Sequence, residues 1–137
     1  MSAGVLDASI AVSWCFEDEA TRKTDALLDR VRDEGADVPA LWHLELANVL
    51  LQAERRGRLS TSDVALRLEL IGALPIATDN EAAARAWREI LPLARAEKLS
   101  AYDAAYLELA IRLGLPLFTK DAALGAAARR AGVTVLP

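Results

Sequence analysis

Short β-branched or leucine-rich runs alternate along this chain with longer stretches at helical spacing, and that alternation constrains the fold more than any other feature. Residues 5–6, 37–39, 75–77, 117–118 and 133–136 read as strands. Helices are predicted over 8–16, 21–34, 41–56, 60–74, 80–98, 100–113 and 122–131. Gly35, Gly57, Gly114 and Gly132 follow helix ends, and Pro92 predicts a kink or break inside the helix over 80–98. Strand–helix alternation demands right-handed crossovers and a mainly parallel sheet covered on both faces. The expected architecture is a three-layer α/β/α sandwich. No repeat, low-complexity tract or linker interrupts it, so residues 1–137 read as a single domain.

Composition removes several functions. One cysteine, Cys15, excludes a disulfide framework and any multi-thiolate metal site, and one histidine, His43, excludes a multi-histidine one. His43 also lies roughly opposite Glu45 on its helix, which argues against a role as catalytic base. The net charge of −4 leaves no general basic coat, although local basic patches remain open. No apolar stretch is long enough for a spanning helix, and the N-terminus lacks a secretory pattern. The expectation is a soluble, cytoplasmic protein without membrane contact.

What remains is acidic. In open parallel sheets, sites form beyond the carboxyl ends of the strands. Asp7 follows the first strand and Asp121 the fourth, after Thr119 and Lys120, which places both on one rim. Glu45 belongs to a helix that reads as apolar almost all round and well buried, carrying Leu41, Trp42, Leu44, Leu46, Val49, Leu50 and Leu51. Glu45, Asn48 and Gln52 fall within about 60° of one another, a narrow polar stripe that must meet something polar. Asp103 stands in the Ser100-Ala101-Tyr102-Asp103 opening of another helix. Helix capping accounts for an acid at such positions too, and Ser60-x-x-Asp63 repeats the pattern with no function assigned.

Four acids near strand ends and helix starts suit a hard cation held by oxygen ligands, of which magnesium is the simplest. Of the 20 acids, setting these four aside leaves 16, equal to the 16 bases, so the net charge is compatible with a single acidic site. Ser9 and Thr119 add hydroxyls beside Asp7 and Asp121. Arg55, Arg56 and Arg58, Lys120, and Arg129-Arg130 are candidate phosphate contacts or solvated helix ends. Cys15 reads as a buried small hydrophobe, while Tyr102, Tyr106, Trp42 and Trp87 suit core or interface packing better than base stacking.

Val5-Leu6-Asp7-Ala8-Ser9, Glu45-x-x-Asn48, Ser100-Ala101-Tyr102-Asp103-Ala104 and Thr119-Lys120-Asp121, in this order across the whole chain, resemble the PIN-domain ribonucleases and, more narrowly, the VapC toxins of toxin–antitoxin pairs. The resemblance implies a magnesium-dependent endoribonuclease, with manganese as a substitute, acting on single-stranded or structured RNA. Its catalytic metal ligands would be Asp7, Glu45, Asp103 and Asp121, supported by Thr119 and Asn48, and its products would carry 5′-phosphate and 3′-hydroxyl ends. It further implies a homodimer and a VapB-like antitoxin whose amphipathic helix fills an apolar groove while a basic side chain reaches the acids. The four carboxyl groups should then converge closely enough to share one hydrated ion. Three other readings stay open: a receiver-like magnesium-binding signalling module, a silent PIN-like scaffold, and a housekeeping nuclease without antitoxin.

Overall fold

The computed structural model describes residues 2–137. Five strands form one sheet in which every pairing is parallel: β1 (Val5–Leu6), β2 (Ala36–Pro39), β3 (Ile76–Asp79), β4 (Leu117–Phe118) and β5 (Val135–Leu136). Their order across the sheet is β3-β2-β1-β4-β5. The first crossover carries α1 (Ala8–Cys15), a 3₁₀ turn (Glu17–Glu19) and α2 (Arg22–Glu34); the second carries α3 (Leu41–Arg55) and α4 (Thr61–Gly72). The third carries α5 (Ala82–Arg85), a π-helical segment (Ala86–Ile90), α6 (Leu91–Glu97) and α7 (Ala101–Leu113), and α8 (Ala122–Arg130) makes the last. Right-handed connections place α1–α4 on one face and α5–α8 on the other. This is the expected α/β sandwich, with a wholly parallel sheet.

The chain reverses direction across the sheet between β1 and β4. It runs outward from β1 through β2 to β3, then returns to lay β4 against the far side of β1, with Val5 opposite Leu117 and Leu6 opposite Phe118. Such a reversal opens a crevice beyond the strand carboxyl ends, because the loops on either side lead away from each other. Gly4 permits the close approach: a Cβ there would sit 2.8 Å from both Phe118 Cζ and the Pro116 carbonyl oxygen. The strand residues at this junction, Val5, Leu6, Leu117 and Phe118, are completely buried and form the centre of the core.

The break foreseen at Pro92 is a π segment immediately before it. Proline has no N–H to donate and crowds the preceding turn. The helix widens there, and the Leu91 N–H reaches back to the Ala86 carbonyl. Ile90 and Ala94 then pack with Ala104 and Ala105 against Leu41 and Leu99, which fixes the start of α7 beside the start of α3. Helix α3 is less buried than its sequence reads. Trp42, Leu46, Leu50 and Ala53 face the core, whereas Leu44 is 76% exposed and Val49 and Leu51 are also exposed. Among the described residues, no helix is long and apolar enough to cross a membrane.

Candidate metal centre

Beyond the β1 and β4 carboxyl ends lies an open cavity of about 430 Å³, lined by Asp7, Ser9, Glu45, Asp103, Lys120 and Asp121. All four acids singled out in the sequence share it. Glu19, from the 3₁₀ turn, lines it as a fifth. Asn48 is not part of this lining; it stands one helical turn along α3, in the wall of an adjoining cavity.

Asp7 is the anchored member. It is 6% exposed, and the hydroxyls of Thr119 and Ser9 donate to its Oδ2 at 2.6 and 2.8 Å. The same hydroxyls accept backbone N–H groups from the segment after β4, Thr119 Oγ1 from Asp121 at 3.0 Å and Ser9 Oγ from Lys120 at 2.9 Å. Two hydroxyls thus tie the ends of β1 and β4 together through one carboxylate oxygen, and Oδ1 keeps no side-chain partner. The capping explanation fails for Asp7, whose side chain makes no cap bond to α1.

Asp121 does cap a helix: its Oδ1 accepts the Leu124 N–H at 2.8 Å. Its position therefore serves fold and cavity together, with Oδ2 unengaged. Asp103 behaves differently from its counterpart in the same motif. At Ser60-x-x-Asp63 both halves of the capping box form, with the Ser60 N–H donating to Asp63 Oδ2 at 3.0 Å. At Ser100-x-x-Asp103 the serine caps, accepting the Asp103 N–H at 3.1 Å, but the reciprocal bond from the Ser100 N–H is absent and the Asp103 carboxylate lines the cavity.

Glu45 is half-buried and held by a residue that the sequence marked only as packing. Tyr106, fully buried on α7, donates its hydroxyl to Glu45 Oε1 at 2.5 Å. Nothing in the chain's periodicity distinguishes this tyrosine from a core aromatic. Its partner was the readable signal, since a part-buried glutamate requires a donor.

The acids raise one another's proton affinity. Burial pushes the Asp7 carboxyl above its ordinary range, against the opposing hydroxyl bonds from Thr119 and Ser9, and the Asp121 charge adds to the rise. Burial does the same to Glu45, partly offset by Tyr106, with Asp7 and Asp103 contributing repulsion. Asp103 is raised by burial first, then by Asp121 and Asp7. Among the described residues, no three acidic, histidine or cysteine side chains approach closely enough to ligate one ion directly. The carboxylates share a cavity, so the expected convergence is looser than a closed coordination shell. An all-oxygen donor set, with one oxygen free of side-chain partners on each of Asp7, Glu45 and Asp121, fits a cation that keeps much of its own water, as magnesium does.

Other candidates fall elsewhere. Arg58 lies over the Phe16 ring at 4.3 Å and pairs with Asp18 at 3.1 Å, while Arg130 pairs with Glu97 at 2.8 Å. Cys15 and Trp42 are buried, and Tyr102 and Trp87 are exposed.

Two solved structures share the architecture. PAE2754 from Pyrobaculum aerophilum superposes with a TM-score of 0.71 at 24% identity, covering 98% of this chain and 92% of its own. FitAcB from Neisseria gonorrhoeae superposes with a TM-score of 0.68 at 19% identity, covering 97% and 96%. Among curated proteins none matches the sequence. The model of the PIN domain matches residues 4–130, nearly the entire chain, and with the acids gathered at the β1–β4 crevice the chain belongs to the PIN domain family.

Proposed function

We propose that this protein is a magnesium-dependent endoribonuclease acting as the toxin of a toxin–antitoxin pair, with Asp7, Glu45, Asp103 and Asp121 holding the ion. The observation that carries the reading is the single cavity these four acids line at the strand-reversal crevice. PIN domains are typically nucleases, which supports the reaction class. A bound divalent ion supplies a nucleophilic water near neutral pH and neutralises charge on the scissile phosphate. The chain's own contribution is placement. Ser9 and Thr119 hold Asp7 in one orientation, Tyr106 holds Glu45, and the helix start of α8 holds Asp121. Lys120, at the cavity wall, meets a phosphate oxygen of the RNA.

Purified protein should cleave single-stranded RNA with added magnesium or manganese, leave 5′-phosphate and 3′-hydroxyl ends, and stop with a chelator. Metal-independent cleavage, or none with either metal, sinks the reading. The antitoxin is expected to place an Arg or Lys against Asp7, Glu45 and Asp103, since a guanidinium fork suits paired carboxylates and displaces the ion. Co-expression with the neighbouring gene product tests this. A stable complex with full nuclease activity contradicts inhibition, and absence of any complex favours a housekeeping nuclease. A receiver-like role lacks support, because Asp7 stands between Leu6 and Ala8 without a second acid beside it.

A further inference from the structure

The polar stripe of α3 does not end at the acid cavity. Glu45 faces that cavity, whereas Asn48 and Gln52 line a second one of about 360 Å³ between α3 and the end of α1. The two cavities adjoin, with Val12, Glu19 and Val49 lining both. Along the helix axis Asn48 lies roughly 4.5 Å and Gln52 roughly 10 Å beyond Glu45, so the second cavity begins immediately beside the proposed scissile phosphate.

Its chemistry differs sharply from the first. Phe16 and Val12 supply apolar wall, Arg56 and Arg58 supply positive charge, and the two amides supply paired donors and acceptors. No side chain among the described residues hydrogen-bonds either amide. Arg58 has two partners: its guanidinium lies 4.3 Å from the Phe16 ring centre, and its Nη2 bonds both carboxylate oxygens of Asp18 at 3.1 and 3.3 Å. A guanidinium plane backed by an aromatic ring is a stacking platform, and single-stranded RNA bases are recognised by stacking on such planes while amides read their edges.

We propose that this second cavity is a nucleobase subsite, in which one base of single-stranded RNA stacks on Arg58 and is read by Asn48 and Gln52 while Arg56 takes the adjoining phosphate. The proposal rests on the ribonuclease reading and adds to it the source of sequence preference. A solvated helix face would show the same amides, but it would not place them in one cavity with a guanidinium–aromatic stack, beside the acids.

The test uses the full chain carrying Asp7→Asn, titrated with labelled rA, rC, rG and rU pentamers in magnesium, with and without the pair Asn48→Leu and Gln52→Leu. One pentamer should bind preferentially, and the paired substitution should weaken it about tenfold and bring the four level. Arg58→Lys, which keeps the charge and removes the plane, should weaken all four. Four pentamers binding equally before any substitution, or an unchanged order and strength after it, overturns the subsite. Cleavage-site mapping with Asp7 restored separates the two readings. If the unsubstituted protein cleaves with no base preference beside the cut, the subsite fails and the nuclease stands. If it cleaves nothing yet the pentamers still sort as expected, the nuclease fails and the subsite stands.

Discussion

Tyr106 donates to Glu45 Oε1 at 2.5 Å, joining a fully buried side chain on α7 to a half-buried carboxylate on α3. Burial first, then the bond to Glu45 and its charge, push the phenol above its ordinary pKa, so the hydroxyl keeps its proton and donates at neutral pH. The two helices belong to different crossovers. The bond therefore links the two walls of the acid cavity as well as orienting Glu45.

Tyr106→Phe removes the donor and keeps the ring. Metal affinity should fall about 10–100-fold, the usual effect of losing a group that orients a ligand. Stability should fall by about 1–2 kcal/mol, because Glu45 Oε1 loses its partner. Calorimetric metal titration beside a urea melt measures both. Lost stability with unchanged metal affinity would assign the tyrosine to packing alone.

Asp7→Asn should abolish metal-dependent cleavage while leaving the fold as stable or more so. The substitution removes a buried charge whose pKa burial already raises, and nearly preserves its shape. A melting temperature several degrees below the parent's would show that Asp7 serves the fold first.

Acidification should act in two opposite stages. Asp7, Glu45 and Asp103 hold protons more tightly folded than unfolded, so lowering the pH from neutral toward the ordinary carboxylate range should raise stability. Asp79 is shifted the other way by Arg112, and Asp63 by the Ser60 N–H. Their contributions are present above the ordinary Asp value of 3.8 and lost as pH falls through their lower folded values. Thermal melts from pH 7 to pH 2 should show a maximum between. Magnesium at 100 times its dissociation constant should add about 2.7 kcal/mol at neutral pH, fading as the acids protonate. A monotonic loss of stability from pH 7 downward would contradict the acid cavity's repulsion.

Arg112 is the structural counterweight to that cavity. It forks onto Asp79 with two bonds of 3.0 Å, and it pairs with Glu108 at 2.8 Å and Glu81 at 3.0 Å, clamping the end of β3 to the end of α7. Glu108 is 8% exposed. Arg112→Ala should cost about 3 kcal/mol by stranding Asp79, while Glu81 and Glu108 keep Arg85 at 3.2 and 3.5 Å, and Arg112→Lys should recover only part, since an ammonium cannot reproduce the fork. Chemical denaturation of the three proteins decides it.

The sequence located the crevice because strand ends and the residues after them are local signals. Asp7 and Asp121 needed only β1 and β4 to be recognised. Glu45 was legible as a polar break in an apolar helix, yet that helix's burial was overread. Leu44, Val49 and Leu51 carry the same hydrophobicity as Leu46 and Leu50, and only tertiary packing decides which face is covered. Glu19 escaped notice because a 3₁₀ turn has no periodicity to interrupt. Asp63 and Asp103 sit in one four-residue pattern with opposite fates, and local chemistry cannot separate them; the neighbouring carboxylates and the burial of α7 do.

The hydroxyl bond from Thr119 to Asp7 spans 112 positions of the chain. Closing a contact so distant costs chain entropy that the packing of the intervening helices and of β4 against β1 must offset. A growing polypeptide that ends before β4 carries Asp7, Ser9, Glu45 and Asp103 but has neither the Thr119 hydroxyl nor Asp121. The acid cavity is thus completed only by the segment that follows α7, and a chain stopped short of it holds three of the four carboxylates without the fourth.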